Sequence, residues 1–159
     1  RWISGKNLHL TLSFLGNIDN LKIKSLISEL DVISQFPMFK ISLNGTGVFP
    51  KSDCAKILWL GVDEGYDELS DIQAIIDEIS YPFKASKRQE RFIPHVTIGR
   101  LEDSKKNMKI DVSTFLNAVY SPVEIPIKTI SLYKSELTSL GPRYTKLSEF
   151  SLNQIGEYK

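Results

Sequence analysis

Residues 8–15 read LHLTLSFL, placing Leu8, Leu10, Leu12 and Phe14 on one side of an extended chain and His9, Thr11 and Ser13 on the other. A period of two is the signature of a strand with one buried face, and a one-residue slip would turn every leucine to solvent. The phrase returns at residues 92–101 (FIPHVTIGRL), where Pro94 suits an edge or a strand start. Between them, Asp19 is a fitting N-cap for a helix to about Ser34, with Ile23, Leu26, Ile27, Leu30 and Ile33 at helical spacing. Two strands are expected at 39–48 and 55–62, joined by the turn-rich stretch 49–53 as an antiparallel pair. Leu69, Ile72, Ile75, Ile76 and Ile79 mark a second amphipathic helix that ends before Pro82. A short helix at 111–120, a long strand or bent pair at 123–137 interrupted at Pro126, and a closing strand at 143–152 complete the reading. The order β-α-β-β-α-β-α-β-β predicts an α+β fold with mostly antiparallel pairing. The loose repetition of strand, helix and strand pair predicts two pseudo-symmetric lobes.

At 159 residues the chain fits one domain, residues 1–159. Twenty Lys plus Arg against nineteen Asp plus Glu give a net charge of +1, so any contact with a polyanion is expected to be local. One cysteine, Cys54, excludes an internal disulfide, and with two histidines it falls short of a closed structural zinc site. No apolar run reaches the roughly 20 residues of a membrane helix and no signal segment opens the chain, so a soluble cytoplasmic protein is expected. Asn44-Gly45-Thr46 reads as a turn more than as a glycosylation site. The chain opens with Arg1-Trp2 and no initiator Met, as a fragment would.

Both histidines are followed at the second position by Thr: His9 with Thr11, His95 with Thr97. Only 7 residues are Thr, so chance accounts for both with a probability of about 0.002, before discounting for a motif noticed after inspection. Residues i and i+2 of a strand share a side, so each pair presents an imidazole and a hydroxyl together. Across a cleft, two imidazoles suit in-line displacement at phosphorus: a neutral one takes the nucleophile's proton, a protonated one gives a proton to the leaving oxygen. An ordinary imidazole pKa near 6.5 keeps both forms available around neutral pH. The competing readings are a structural role for each His and a metal site, which would need at least one ligand beyond the pair. Gly45-Thr46-Gly47 reads as a strand irregularity, not a phosphate loop. Lys84, Lys87, Arg88 and Arg91 either steer a phosphodiester or form a solvated loop; Arg100 and Arg143-Tyr144 contact substrate or serve packing.

At NLHLTLSFLG, GVFP, ILWLGV, PHVTIGR and LYKSELTSLGPRYTKLSEF the chain resembles the 2H phosphoesterase superfamily, in particular the RNA 2',3'-cyclic phosphodiesterases, also called 2'-5' RNA ligases. The resemblance covers essentially the whole chain. It implies a bilobal α+β fold with helices outside and both motifs projecting into a central cleft. It also implies metal-independent opening of a terminal RNA 2',3'-cyclic phosphate to a 2'-phosphate, with no cofactor. By that likeness His9 is the proton donor to the departing 3'-oxygen and His95 the acceptor that activates water, labels that pseudo-symmetry leaves interchangeable. Thr11 and Thr97 become phosphate-oxygen ligands and Arg100 an auxiliary phosphate contact. The implied partners are RNA ends bearing the cyclic phosphate, tRNA fragments among them, met by a monomer. Family members usually carry a strand and a helix ahead of Arg1-Trp2, so the first lobe is expected to lack them. The reverse reaction, 2'-5' joining, uses the same groups. The alternatives are a non-catalytic RNA-end binding module and a 2H enzyme for another cyclic phosphate or a 2'-5' oligonucleotide.

Overall fold

The computed structural model describes residues 1–84, 91–101, 110–138 and 141–154. Its elements run α1 (Ile23–Leu30), β1 (Phe39–Phe49), β2 (Ile57–Val62), α2 (Tyr66–Ser80), β3 (His95–Arg100), α3 (Ser113–Leu116), β4 (Val123–Ile127), β5 (Thr129–Thr138) and β6 (Gly141–Ser151). The strands form a four-stranded sheet in the order β3-β2-β1-β4 and a two-stranded sheet, β5-β6, with antiparallel pairing throughout. The α+β class read from the alternating patterns is the observed one, with four strands in one sheet and two in the other.

The helices cover one face of the larger sheet. Leu26 and Leu30 of α1, and Leu69, Ile72 and Ile76 of α2, close on Phe39, Ile41 and Leu43 of β1 and Val96 of β3. Phe150 and Leu152 join the same core and tie the second sheet to the first. Each such side chain contributes roughly 1.5–3 kcal/mol by leaving water. Gly65 starts α2 at φ 80°, where a Cβ would lie 2.4 Å from the Lys40 carbonyl oxygen. Asp67 and Glu68 follow in the first turn, where the helix dipole favours negative charge.

Several expectations need correction. Residues 8–15 are not a strand: they meet β3 through one isolated bridge, Leu10 to Val96. Leu10 and Leu12 pack on the core, but the parity then breaks, because Leu15 packs inward while Phe14 stands 80% exposed. Leu8, also assigned to the inner face, is 45% exposed. The first helix is shorter than expected, flanked by 3-10 turns at Asn20–Lys22 and Asp31–Gln35; Asp19 does cap the first, accepting from Leu21 N–H at 2.9 Å. Asn44-Gly45-Thr46 is no turn but the irregular stretch of β1, where the register slips between Leu43 and Thr46 and Gly45 takes φ 77°. The strand break in the last third falls at Lys128, and Pro126 stays in β4 opposite Lys40. Only Ser113–Leu116 of the expected third helix is α-helical.

Candidate active site

The Leu10–Val96 bridge sets the register of the two His-Thr phrases. Residues flanking an antiparallel bridge pair in reverse order, so His9 stands opposite Thr97 and Thr11 opposite His95. Leu10 and Val96 face the core, which turns the four polar side chains to the other face. The bridge thus sets the two His-Thr phrases side by side, a square of two imidazoles and two hydroxyls in the register of the chain. His9 is exposed; Thr11, His95 and Thr97 are half-buried.

Both imidazoles are anchored in the same way. His9 Nδ1 lies 2.8 Å from the carbonyl oxygen of Asn7, and His95 Nδ1 lies 2.7 Å from that of Ile93. A carbonyl oxygen only accepts, so each Nδ1 carries the proton and donates it. The neutral tautomer is thereby fixed, and Nε2 is the nitrogen left for chemistry on both rings. In each case the anchoring residue sits two positions before the histidine.

The surroundings of the two rings differ. β3 pairs with β2 so that Trp59 faces Thr97 and Gly61 faces His95, with a bulge between Leu58 and Trp59. On the next strand Gly47 faces Trp59. The indole lies flat across Gly47, where a Cβ would sit 2.1 Å from Trp59 Cζ2. Phe49 completes the wall: its ring is 5.2 Å from Trp59 and 5.1 Å, edge to face, from His95, and Trp59 is 5.7 Å from His95. Trp59 Nε1 is buried with no hydrogen-bond partner among the described residues, so packing holds the ring in place. His9 instead meets Tyr144 of β6, edge-on at 5.5 Å. The square therefore lies where the two sheets meet.

Arg100 pairs with Ile57 at the end of β3, two rows beyond the Trp59–Thr97 row, and is exposed. Its backbone N–H and carbonyl bond those of Arg1, tying residues 1–3 to β3. Of the basic stretch, Lys84 is not a solvated loop residue: its side chain is 12% exposed, and Nζ reaches Asp77 Oδ1 at 2.8 Å and Ser13 Oγ at 3.2 Å. Ser13 Oγ and Gln73 Nε2 also donate to Asp77, each at 2.6 Å. Burial alone would push the Asp77 carboxyl up, but the hydrogen bonds from Lys84, Ser13 and Gln73 and the Lys84 charge hold it below the usual carboxylate range. This cluster clasps the segment carrying His9 and Thr11 to α2. Lys87 and Arg88 lie outside the described residues. Cys54 is exposed, and among the described residues no three His, Cys, Asp or Glu side chains group so as to hold a metal ion.

The sequence profile of the 2'-5' RNA ligase superfamily matches residues 2–138. The chain belongs to this superfamily. It is 33% identical over 153 residues to the RNA 2',3'-cyclic phosphodiesterase of Thermotoga maritima, covering 93% of this chain and 77% of that protein. With the RNA 2',3'-cyclic phosphodiesterase of Methanocaldococcus jannaschii it shares 34% over 150 residues, 93% of this chain and 82% of the other. Among solved structures, a crystal structure of a phosphoesterase aligns with a TM-score of 0.73 at 25% identity, covering 97% of this chain and 82% of that one. Escherichia coli LigT in complex with 3'-AMP aligns with a TM-score of 0.72 at 24% identity, covering 97% and 81%, a likeness of fold. The sequence singled out the four residues of the square but gave no part in a site to Phe49, Trp59, Gly47 or Ser13. The phrases GVFP and ILWLGV, which carry three of them, were the available signal.

Proposed function

We propose that this superfamily member opens the 2',3'-cyclic phosphate at an RNA end to a 2'-phosphate, with the two histidines as its acid and base. The observation that carries the reading is the matched anchoring: two Nδ1–H groups are spent on backbone carbonyls, leaving both Nε2 atoms for chemistry, on two His-Thr phrases that the Leu10–Val96 bridge sets side by side. His95 Nε2 accepts a proton from water as the water oxygen bonds to phosphorus. The bond from phosphorus to the 3'-oxygen breaks, and protonated His9 gives that oxygen its proton. Thr11 and Thr97 donate to the non-bridging oxygens as charge builds on them, with Arg100 two rows away. With a 5'-hydroxyl in water's place, the same groups form a 2'-5' bond. Both histidines come from one chain, so a monomer suffices, and RNA fragments such as cleaved tRNA are fitting substrates in the cytoplasm.

None of these steps calls on a metal ion. The test is the product from a short RNA ending in 2',3'-cyclic phosphate, incubated with EDTA. A terminal 2'-phosphate is expected; a 3'-phosphate, or turnover only after a divalent ion is restored, overturns the mechanism.

A further inference from the structure

We propose that the tyrosine-bearing face of the β5–β6 hairpin is a stacking platform for the nucleobases upstream of the reacting phosphate. The site is then built for an oligonucleotide end, not for a free cyclic nucleotide. The inference rests on the cyclic-phosphate reading above and extends it to the length of the substrate.

Tyr133 pairs with Lys146 and Ser135 with Tyr144. Because Tyr133 and Ser135 are two apart on one strand, Tyr133 and Tyr144 share a face as diagonal neighbours. Their ring centroids are 6.4 Å apart, nearly perpendicular, and Tyr144 continues to the His9 ring at 5.5 Å. The three rings make a path that leads away from the acid-base pair along the hairpin. Tyr144 is 41% and Tyr133 49% exposed, so both keep aromatic surface open to solvent.

Continuity with His9 names the occupant. A substrate whose terminal phosphate reaches the square continues, on its 5' side, as a nucleoside chain, and unpaired bases stack on exposed tyrosines. Charge points the same way. Lys134 and Arg143 both pair with Glu136, at 3.2 and 3.0 Å, and Lys146 pairs with Glu149. With these cations matched by carboxylates, the hairpin reads base faces more than backbone phosphates, which predicts a shallow salt dependence.

The experiment compares kcat/KM for a tetranucleotide ending in 2',3'-cyclic phosphate with that for a 2',3'-cyclic mononucleotide, in the wild type, Tyr133→Ala and Tyr133→Phe. Dissociation constants of the tetranucleotide 2'-phosphate and a nucleoside 2'-monophosphate give a readout independent of turnover. The wild type should favour the tetranucleotide. Tyr133→Ala should lower that preference about five- to a hundredfold, the range for loss of one base stack, while Tyr133→Phe keeps it. No length preference in the wild type, or an unchanged preference in Tyr133→Ala, overturns the platform even if both substrates are hydrolysed. A Tyr133-dependent length preference in binding, with neither substrate hydrolysed, supports the platform and overturns the cyclic-phosphate reading instead.

Discussion

Replacing Gly47 with alanine tests how the site is held, because this residue lies opposite Trp59, beneath the aromatic wall of His95. The added Cβ would meet Trp59 Cζ2 at 2.1 Å, Cη2 at 2.3 Å and Cε2 at 2.5 Å. Carbon atoms rest at about 3.5–4.0 Å, so the indole must withdraw by roughly 1.5 Å. Its retreat is obstructed by Phe49, 5.2 Å away, and by His95, 5.7 Å away. Overpacking of this kind costs about 1–3 kcal/mol. For a chain of this size, with 2–4 °C lost per kcal/mol, the midpoint should fall by roughly 2–12 °C. If the displacement passes to His95, a shift of about 1 Å at a catalytic group lowers turnover by up to about a hundredfold. Thermal denaturation and steady-state kinetics on a cyclic-phosphate RNA are measured for Gly47→Ala, Trp59→Phe and the pair. Phenylalanine lacks the atoms that clash, so the double variant should be more stable than the sum of the single effects requires. Unchanged stability and turnover in Gly47→Ala, or strictly additive effects in the pair, would refute the reasoning.

Two further outcomes follow from the same geometry. Asp77→Asn should destabilise by about 1–3 kcal/mol at neutral pH, since it leaves the Lys84 ammonium, 12% exposed, without its carboxylate. The wild-type carboxyl is held below its ordinary range, so its contribution is full above that range and is lost as pH falls through the lowered value. Denaturation at pH 7 and at pH 3 should show the gap between wild type and variant closing in acid, and an equal gap at both would count against the clasp. Thr97→Val and Thr11→Val each remove one neutral hydrogen bond of about 0.5–1.5 kcal/mol, so kcat/KM should fall roughly two- to twelvefold, far less than for loss of a histidine. A thousandfold loss in either would assign the threonine a larger part than oxygen ligation.

The elements that were legible were those whose own sequence carried their burial. Leu69, Ile72 and Ile76 specify one face of α2 wherever it packs, and Pro94 and Pro82 mark the start of β3 and the end of α2. Residues 8–15 alternate as a strand would, yet strand pairing is a property of the partner as well, and here one bridge is formed. The clasp of Ser13 to Asp77 on α2 accompanies a change of parity that leaves Leu15 packed inward and Phe14 exposed. In the candidate site, the paired motifs singled out the imidazoles and hydroxyls because side-chain type is written in the sequence. The Nδ1 anchors were invisible because their acceptors are backbone carbonyls, which every residue owns. Phe49, Trp59 and Tyr144 were unreadable as neighbours of the histidines because the contacts span 46, 36 and 135 residues of chain.

The most direct test of the two-histidine mechanism is turnover of an RNA ending in 2',3'-cyclic phosphate by His9→Ala, His95→Ala and the double variant, each first shown to fold by its thermal midpoint. General acid-base catalysis contributes about 10² to 10⁴ in rate, so each single variant should lose that much, with stability nearly unchanged at exposed His9 and modestly lowered at half-buried His95. The two act as one proton-transfer unit, so the double variant should lose far less than the product of the single losses. Near-normal turnover in both single variants would contradict the account.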